Sequence, residues 1–162
     1  MHAPDRIANS LSPGPVGYAV SQDTFMRIET IHHVSLTVSD LDRSRQFYHE
    51  ILSLNEIERP GFSFPGAWFQ VGENQQLHLI LHSGATFRGA KGIDTRDGHF
   101  AVRVASYRSA LAFLSSKGYR EDAADDDLLK MHTNPRAIAG YPQIYILDPD
   151  RHVIEINAEQ LD

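Results

Sequence analysis

From Ile28 onward, hydrophobic and polar positions follow a pattern that runs through once and then begins again. Residues 32–38 alternate: Val34, Leu36 and Val38 fall on one face, His33, Ser35 and Thr37 on the other. Period-two alternation predicts a half-buried strand. Ser39 or Asp40 is placed to cap a following helix that runs to about Leu52, with Leu41, Ser44, Phe47, Tyr48, Ile51 and Leu52 forming its buried stripe. Three short strands are predicted near 55–58, 67–71 and 76–82, separated by Pro60-Gly61, Pro65-Gly66 and Gly72-Glu73-Asn74.

A Gly-rich, polar connector is expected over 83–96, after which the order repeats. His99, Ala101 and Arg103 alternate with Phe100, Val102 and Val104. A helix over about 107–116 should end at Gly118, a suitable C-terminal cap. The stretch 122–140 is poorly patterned, with a short strand expected near 128–132. Good strands follow at 143–147 and 152–157, joined by Asp148-Pro149-Asp150. The chain therefore reads as strand-helix-strands twice over, an α+β domain at 28–160 with module one at 28–82 and module two at 97–160. Residues 1–27, broken by Pro13-Gly14-Pro15 and Gly17, are expected to form a flexible extension or an arm on a partner subunit.

Composition narrows the chemistry. A chain of 162 residues with 41% hydrophobic and 22% charged residues has the makeup of one globular domain. With 21 acidic against 15 basic residues, the net charge of −6 opposes binding to nucleic acid or anionic membranes, and no Lys/Arg cluster reverses that locally. No apolar run reaches membrane-spanning length, and no secretory signal opens the chain. Cysteine is absent, which excludes disulfides, thiolate nucleophiles and cysteine-held zinc and fits the reducing cytoplasm. Nine histidines direct any metal argument to imidazole and carboxylate.

Alternation places four such groups at equivalent points of the repeat. His33 lies on the first strand of module one and His78 on its last; His99 and Glu155 hold those places in module two. Leu77 and Leu79 flank His78, while Ile154 and Ile156 flank Glu155. A carboxylate among such neighbours requires a partner, and a divalent metal would use both it and neutral imidazoles. The separations are 45 residues for His33 to His78 and 56 for His99 to Glu155, and the longer loop at 122–140 accounts for the difference. Arg103 shares a predicted strand face with His99 and is suited to a substrate carboxylate or phosphate. Trp68, Phe62, Phe64 and Phe69 are candidates to line an apolar pocket, at least two of them being core. His132 and Arg136 lie in the loop that could close over a ligand.

The segment Ile31-His32-His33-Val34-Ser35-Leu36-Thr37-Val38-Ser39-Asp40-Leu41-Asp42-Arg43-Ser44-Arg45-Gln46-Phe47-Tyr48 resembles the opening signature of the vicinal oxygen chelate superfamily, the group of glyoxalase I, bleomycin-resistance proteins and extradiol dioxygenases. Ile146-Leu147-Asp148-Pro149-Asp150-Arg151-His152-Val153-Ile154-Glu155-Ile156 resembles its closing signature, except that Arg151 stands where the family usually has glycine. The resemblance covers about 29–158. It implies paired βαβββ modules forming a curved, mixed-sheet metal-binding cup, with His33, His99 and Glu155 as ligands of a divalent ion (zinc, nickel, manganese or iron(II)). His78 matches the remaining position, a fourth ligand in glyoxalase-like members and a catalytic histidine in extradiol dioxygenases. Tyr145 stands ten residues before Glu155, as does an active-site tyrosine of those dioxygenases.

These matches imply His78, Tyr145 and Glu155 as catalytic residues; Arg103, from strand alternation, and Trp68, from the aromatic cluster, are the expected substrate contacts. The function expected first is a metal-dependent, glyoxalase-like lyase or isomerase acting on a small oxygenated molecule. A small iron(II) extradiol-type dioxygenase is the alternative, and a metal-free binding or resistance protein the third. The resemblance also implies a homodimer, and some family members build their sites across the subunit boundary.

Overall fold

The computed structural model describes residues 26–82, 84 and 91–162. The expected extension and connector thus fall largely outside the described residues, and 26–30 carry no regular structure. The elements run β1 (His33–Val38), α1 (Leu41–Glu50), β2 (Asn55–Ile57), β3 (Gly66–Val71), β4 (Gln75–Leu81), β5 (His99–Val104), α2 (Tyr107–Ser116), β6 (His132–Asn134), β7 (Gln143–Leu147) and β8 (Val153–Ala158). They form two four-stranded sheets of matching topology, β1-β4-β3-β2 and β5-β8-β7-β6. In each, the first strand runs parallel to the last, and the remaining pairs are antiparallel. This is the paired βαβββ arrangement that the repeat predicts. No helix among the described residues is long and apolar enough to cross a membrane.

Local chemistry sets the helix limits. The Asp40 carboxylate accepts the backbone N–H of Arg43 and so caps α1, while Ser106 does the same for α2 through Ser109. α1 ends two residues before the expected Leu52. Ile51 closes the last turn on Phe47 O, and Ser53 then takes φ +56°, a left-handed conformation that cannot continue the helix. α2 ends as predicted: Gly118 adopts φ +93° while Tyr119 N–H reaches back to Leu114 O. Gly66 has a different task. A Cβ there would lie 2.4 Å from Leu79 O, so only glycine lets β3 begin this close to β4.

One expectation needs correction. The short strand placed near 128–132 is β6, at His132–Asn134. Asp127 turns the chain before it, accepting Leu129 N–H on its carboxylate and Lys130 N–H on its carbonyl oxygen. Thr133 is anchored through its N–H and hydroxyl to Glu121, and β6 takes its register from His132↔Tyr145. These long-range contacts outrank the local pattern.

The core spans both modules. Val38, Tyr48, Phe69, Leu77 and Leu79 of the first join Leu114, Ile144, Ile154 and Ile156 of the second in one cluster. Burying each of the large aliphatic or aromatic side chains contributes about 1.5–3 kcal/mol. A polar staple crosses the same boundary. Asp148, fully buried, accepts Tyr48 O–H at 2.8 Å and His152 Nδ1 at 2.9 Å, together with the backbone N–H groups of Asp150 and His152. Asp150 accepts both N–H and O–H of Ser39, at the head of α1. The turn between β7 and β8 is thereby fixed to α1.

Arg151 completes that turn with φ +68°, the conformation glycine would adopt without strain. Its guanidinium donates to the carbonyl oxygens of Asp126 and Lys91. The departure from the family's usual glycine therefore leaves the turn intact and adds two ties from it to neighbouring loops.

Candidate functional site

β7 and β8 carry the better-formed half of the site. The antiparallel register sets Tyr145 opposite Glu155 and Gln143 opposite Asn157, and the parallel ladder sets Ala101 beside Glu155 and Arg103 beside Asn157. All six share one face, since alternation is in phase across the ladder. The flanking Ile154 and Ile156 point into the core, as the sequence predicts. Glu155 is only 4% exposed. Its Oε2 accepts Tyr145 O–H at 2.8 Å, and its Oε1 accepts Asn157 Nδ2 at 2.8 Å and Gln143 Nε2 at 3.3 Å. Burial, followed by the bond to Glu155 and its charge, pushes the Tyr145 phenol well above its ordinary value. Tyr145 therefore stays protonated and acts as a donor.

His99 completes this half. Its Nδ1 lies 2.7 Å from the carbonyl oxygen of Asp97, which can only accept, so Nδ1 carries the proton. In the neutral ring, Nε2 then presents a lone pair to Glu155 Oε2, 3.4 Å away. Two electron-pair donors facing each other need a proton or a cation between them. A ring oriented through its second nitrogen beside a hydrogen-bonded carboxylate is also how a histidine is prepared for a metal.

The other half stands on β1, β3 and β4. The His78 ring is held on both faces, parallel to Trp68 with centroids 4.0 Å apart and to His33 at 4.3 Å. Its Nε2 lies 2.8 Å from Gln76 Oε1, so Nε2 carries the proton and Nδ1 the lone pair. Burial is the largest of several effects that lower its pKa, the others being the charges of His33, His32 and Arg59. His78 is thus neutral at physiological pH. His33 in turn contacts His32, Nδ1 to Nδ1, at 2.9 Å.

His33 and His99 line one cavity of about 660 Å³, together with Gln75, Gln76 and Arg103. His33 from one half and His99 from the other thus face a shared space, which Glu155, Tyr145, His78 and Trp68 do not line. The two halves are not drawn together around a point: among the described residues no three His, Asp or Glu side chains are grouped closely enough to hold a metal ion. The donor types suit a divalent ion, and the His99–Glu155 pair suits one in geometry as well. The His33–His78 pair is stacked rather than convergent.

The remaining candidates divide. Arg103 reaches the cavity, with its guanidinium 5.1 Å from the Tyr141 ring centre. Trp68 belongs to the site through His78, while Phe69 is core. Phe62 and Phe64 are exposed and form an aromatic group under Arg59, with Phe62 5.8 Å from Trp68. His132 packs 6.1 Å from Tyr145, whereas Arg136 is exposed on its loop. Gln76 and Asn157 escaped sequence reasoning. Each lies two residues from a proposed site residue on the same strand face, and that spacing was the available signal.

The model of the Glyoxalase/Bleomycin resistance protein/Dioxygenase superfamily matches residues 30–156. The chain belongs to this superfamily. Among solved structures, a glyoxalase family protein from Bacillus anthracis is similar at a TM-score of 0.64 and 20% identity, over 83% of this chain and 98% of that one. Lactoylglutathione lyase from Agrobacterium tumefaciens aligns at a TM-score of 0.57 and 19% identity, over 82% and 96%. A genomically encoded fosfomycin resistance protein from Listeria monocytogenes aligns at 0.59 and 18%, over 82% and 94%. At these identities the likeness is one of fold. No curated protein matches the sequence.

Proposed function

We propose that the protein is a metal-dependent, glyoxalase-like lyase or isomerase acting on a small oxygenated substrate in the cavity between the modules. The observation that carries this reading is the His99–Glu155 pair, with Nε2 and Oε2 3.4 Å apart and both the ring and the carboxylate held by further hydrogen bonds. His99 and Glu155 are the primary ligands; His33, on the opposite wall of the same cavity, would be the third only with the two walls drawn closer than they stand here. A divalent ion bound there would polarise substrate oxygens. Arg103 holds the anionic end of the substrate and Trp68 borders its path. Tyr145 keeps its proton and fixes the orientation of the Glu155 carboxylate. His78, neutral and with Nδ1 free, takes up and returns a proton.

This assignment makes His78 a proton carrier rather than a ligand. Substitution His78→Ala is expected to leave stoichiometric metal in the purified protein, measured by elemental mass spectrometry. Loss of the metal would instead make it the fourth ligand. Wild-type protein that carries no zinc, nickel, manganese or iron and takes none up on titration would overturn the metal-dependent reading and leave a binding protein.

His78 stacked on His33 and Tyr145 bonded to Glu155 support extradiol-type iron(II) chemistry as a second reading. Stoichiometric iron together with ring cleavage of a catechol would favour it. A homodimer is the assembly that membership of the superfamily supports. A light-scattering mass of one chain would refute that.

A further inference from the structure

Every residue of β5 from His99 to Arg103 touches the cavity of about 660 Å³, those of both faces alike. Side chains of a strand alternate. A space that meets both faces therefore lies along the strand's open edge, and β5 is an edge strand. β1, at the edge of the other sheet, contributes His33 and Val34 in the same way. The cavity is thus a slot between two sheet edges, and its two sides differ. Val34, Leu77, Phe100 and Val102, which belong to the core or pack against it, form an apolar floor. His33, His99 and Arg103 stand on the opposite, exposed rim. A volume of that size with apolar walls and a few polar groups is the usual makeup of a small-molecule site.

The rim carries its fixed charge at one end. β7 starts on the rung of Arg103 and finishes on the rung of His99. Tyr141, just before β7, holds the Arg103 guanidinium 5.1 Å from its ring centre, which keeps the cation at the far end of the slot from His99. Arg103 is exposed and has no carboxylate partner among the described residues. His99 lies on the same face of β5, about 13 Å away at roughly 3.3 Å per residue. Between them stands Ala101, whose small side chain leaves the slot open. A ligand that answers these features has a carboxylate for the guanidinium, an apolar body for the floor, and length enough to extend toward His99.

We propose that the slot binds a monocarboxylate with an extended apolar body, and that this is the substrate class of the site. Arg103 takes the carboxylate, and the chain lies on the floor with its far end toward His99. The substrate assignment rests on the function proposed for this cavity, whereas the binding needs no metal.

Acetate, butanoate, hexanoate and the uncharged hexanol are titrated into the full chain in EDTA, with the backbone amides followed by NMR. Affinity is expected to rise about fourfold for each methylene that the floor covers, with signals of Val34, Ala101 and Arg103 shifting. Arg103→Gln should weaken hexanoate by about tenfold or more and leave hexanol unchanged. Ala101→Phe, at an exposed position, should close the slot, so that hexanoate binds no better than acetate. Equal affinities along the series, a chain-length gain that survives Ala101→Phe, or hexanoate binding that ignores Arg103→Gln overturns the proposal. So do shifts confined to Ser109 and Phe113, which line a separate groove beside α2. Should Ala101→Phe not fold, the wild-type series and Arg103→Gln decide. A chain that passes these tests in EDTA but never takes up zinc, nickel, manganese or iron supports the slot and refutes only the metal-dependent reading.

Discussion

Glu155→Ala is expected to lower the affinity for divalent metal by more than a hundredfold, so that the protein purifies without it. Disturbing a residue that merely orients a ligand already costs about ten- to a hundredfold, and Glu155 is assigned as a ligand whose alignment three side chains secure. Removing it takes away the charge that His99 Nε2 faces at 3.4 Å and deprives Tyr145, Asn157 and Gln143 of their shared acceptor. Elemental mass spectrometry and a zinc titration measure the outcome. Full metal occupancy in Glu155→Ala would sink the ligand assignment shared by the lyase and dioxygenase readings. Tyr145→Phe gives the comparison: it removes one donor to Oε2 and should weaken the metal by no more than about tenfold to a hundredfold.

The largest effect on stability is expected at Asp148. Substitution by alanine leaves four donors without their acceptor inside the protein, the hydroxyl of Tyr48, the ring of His152 and two backbone N–H groups. Breaking a buried charged contact by removing one partner costs about 3–5 kcal/mol, a large share of the roughly 5–15 kcal/mol that holds a domain folded. Tyr48→Phe removes one of the four bonds and should cost about 1–2 kcal/mol. Urea unfolding followed by circular dichroism separates the two. An Asp148→Ala protein with the wild-type midpoint would show that the staple between α1 and the β7–β8 turn carries no weight. A destabilised one should also bind metal less well, because that turn leads directly into the strand carrying Glu155.

Most of the strand order was legible because short-range pattern and long-range packing agree in this chain. The β5 and α2 limits match the sequence reading residue for residue, with Ser106 and Gly118 marking the helix ends. Disagreement arises where a distant partner decides, as at β6, whose position follows from Glu121 and Tyr145 rather than from its own residues. In the site, alternation was enough to set His99 and Glu155 on one face. It could not reveal that His33 and His78 would stack on each other, since ring packing depends on Trp68 from a third strand. The staple was hidden for a similar reason. Tyr48 reads as one more apolar position of a helix stripe and Asp148 as a turn residue, and only the docking of α1 against the second module joins them.

Trp68 is the single tryptophan of the chain, and it lies flat against His78. Excited at wavelengths that tyrosine does not absorb, the fluorescence of the protein consequently originates at this one indole. An indole in contact with an imidazole changes its emission when that imidazole gains a proton or turns away. The protein therefore carries an unlabelled optical reporter on its proposed proton carrier, usable in a stopped-flow cell before any substrate is known.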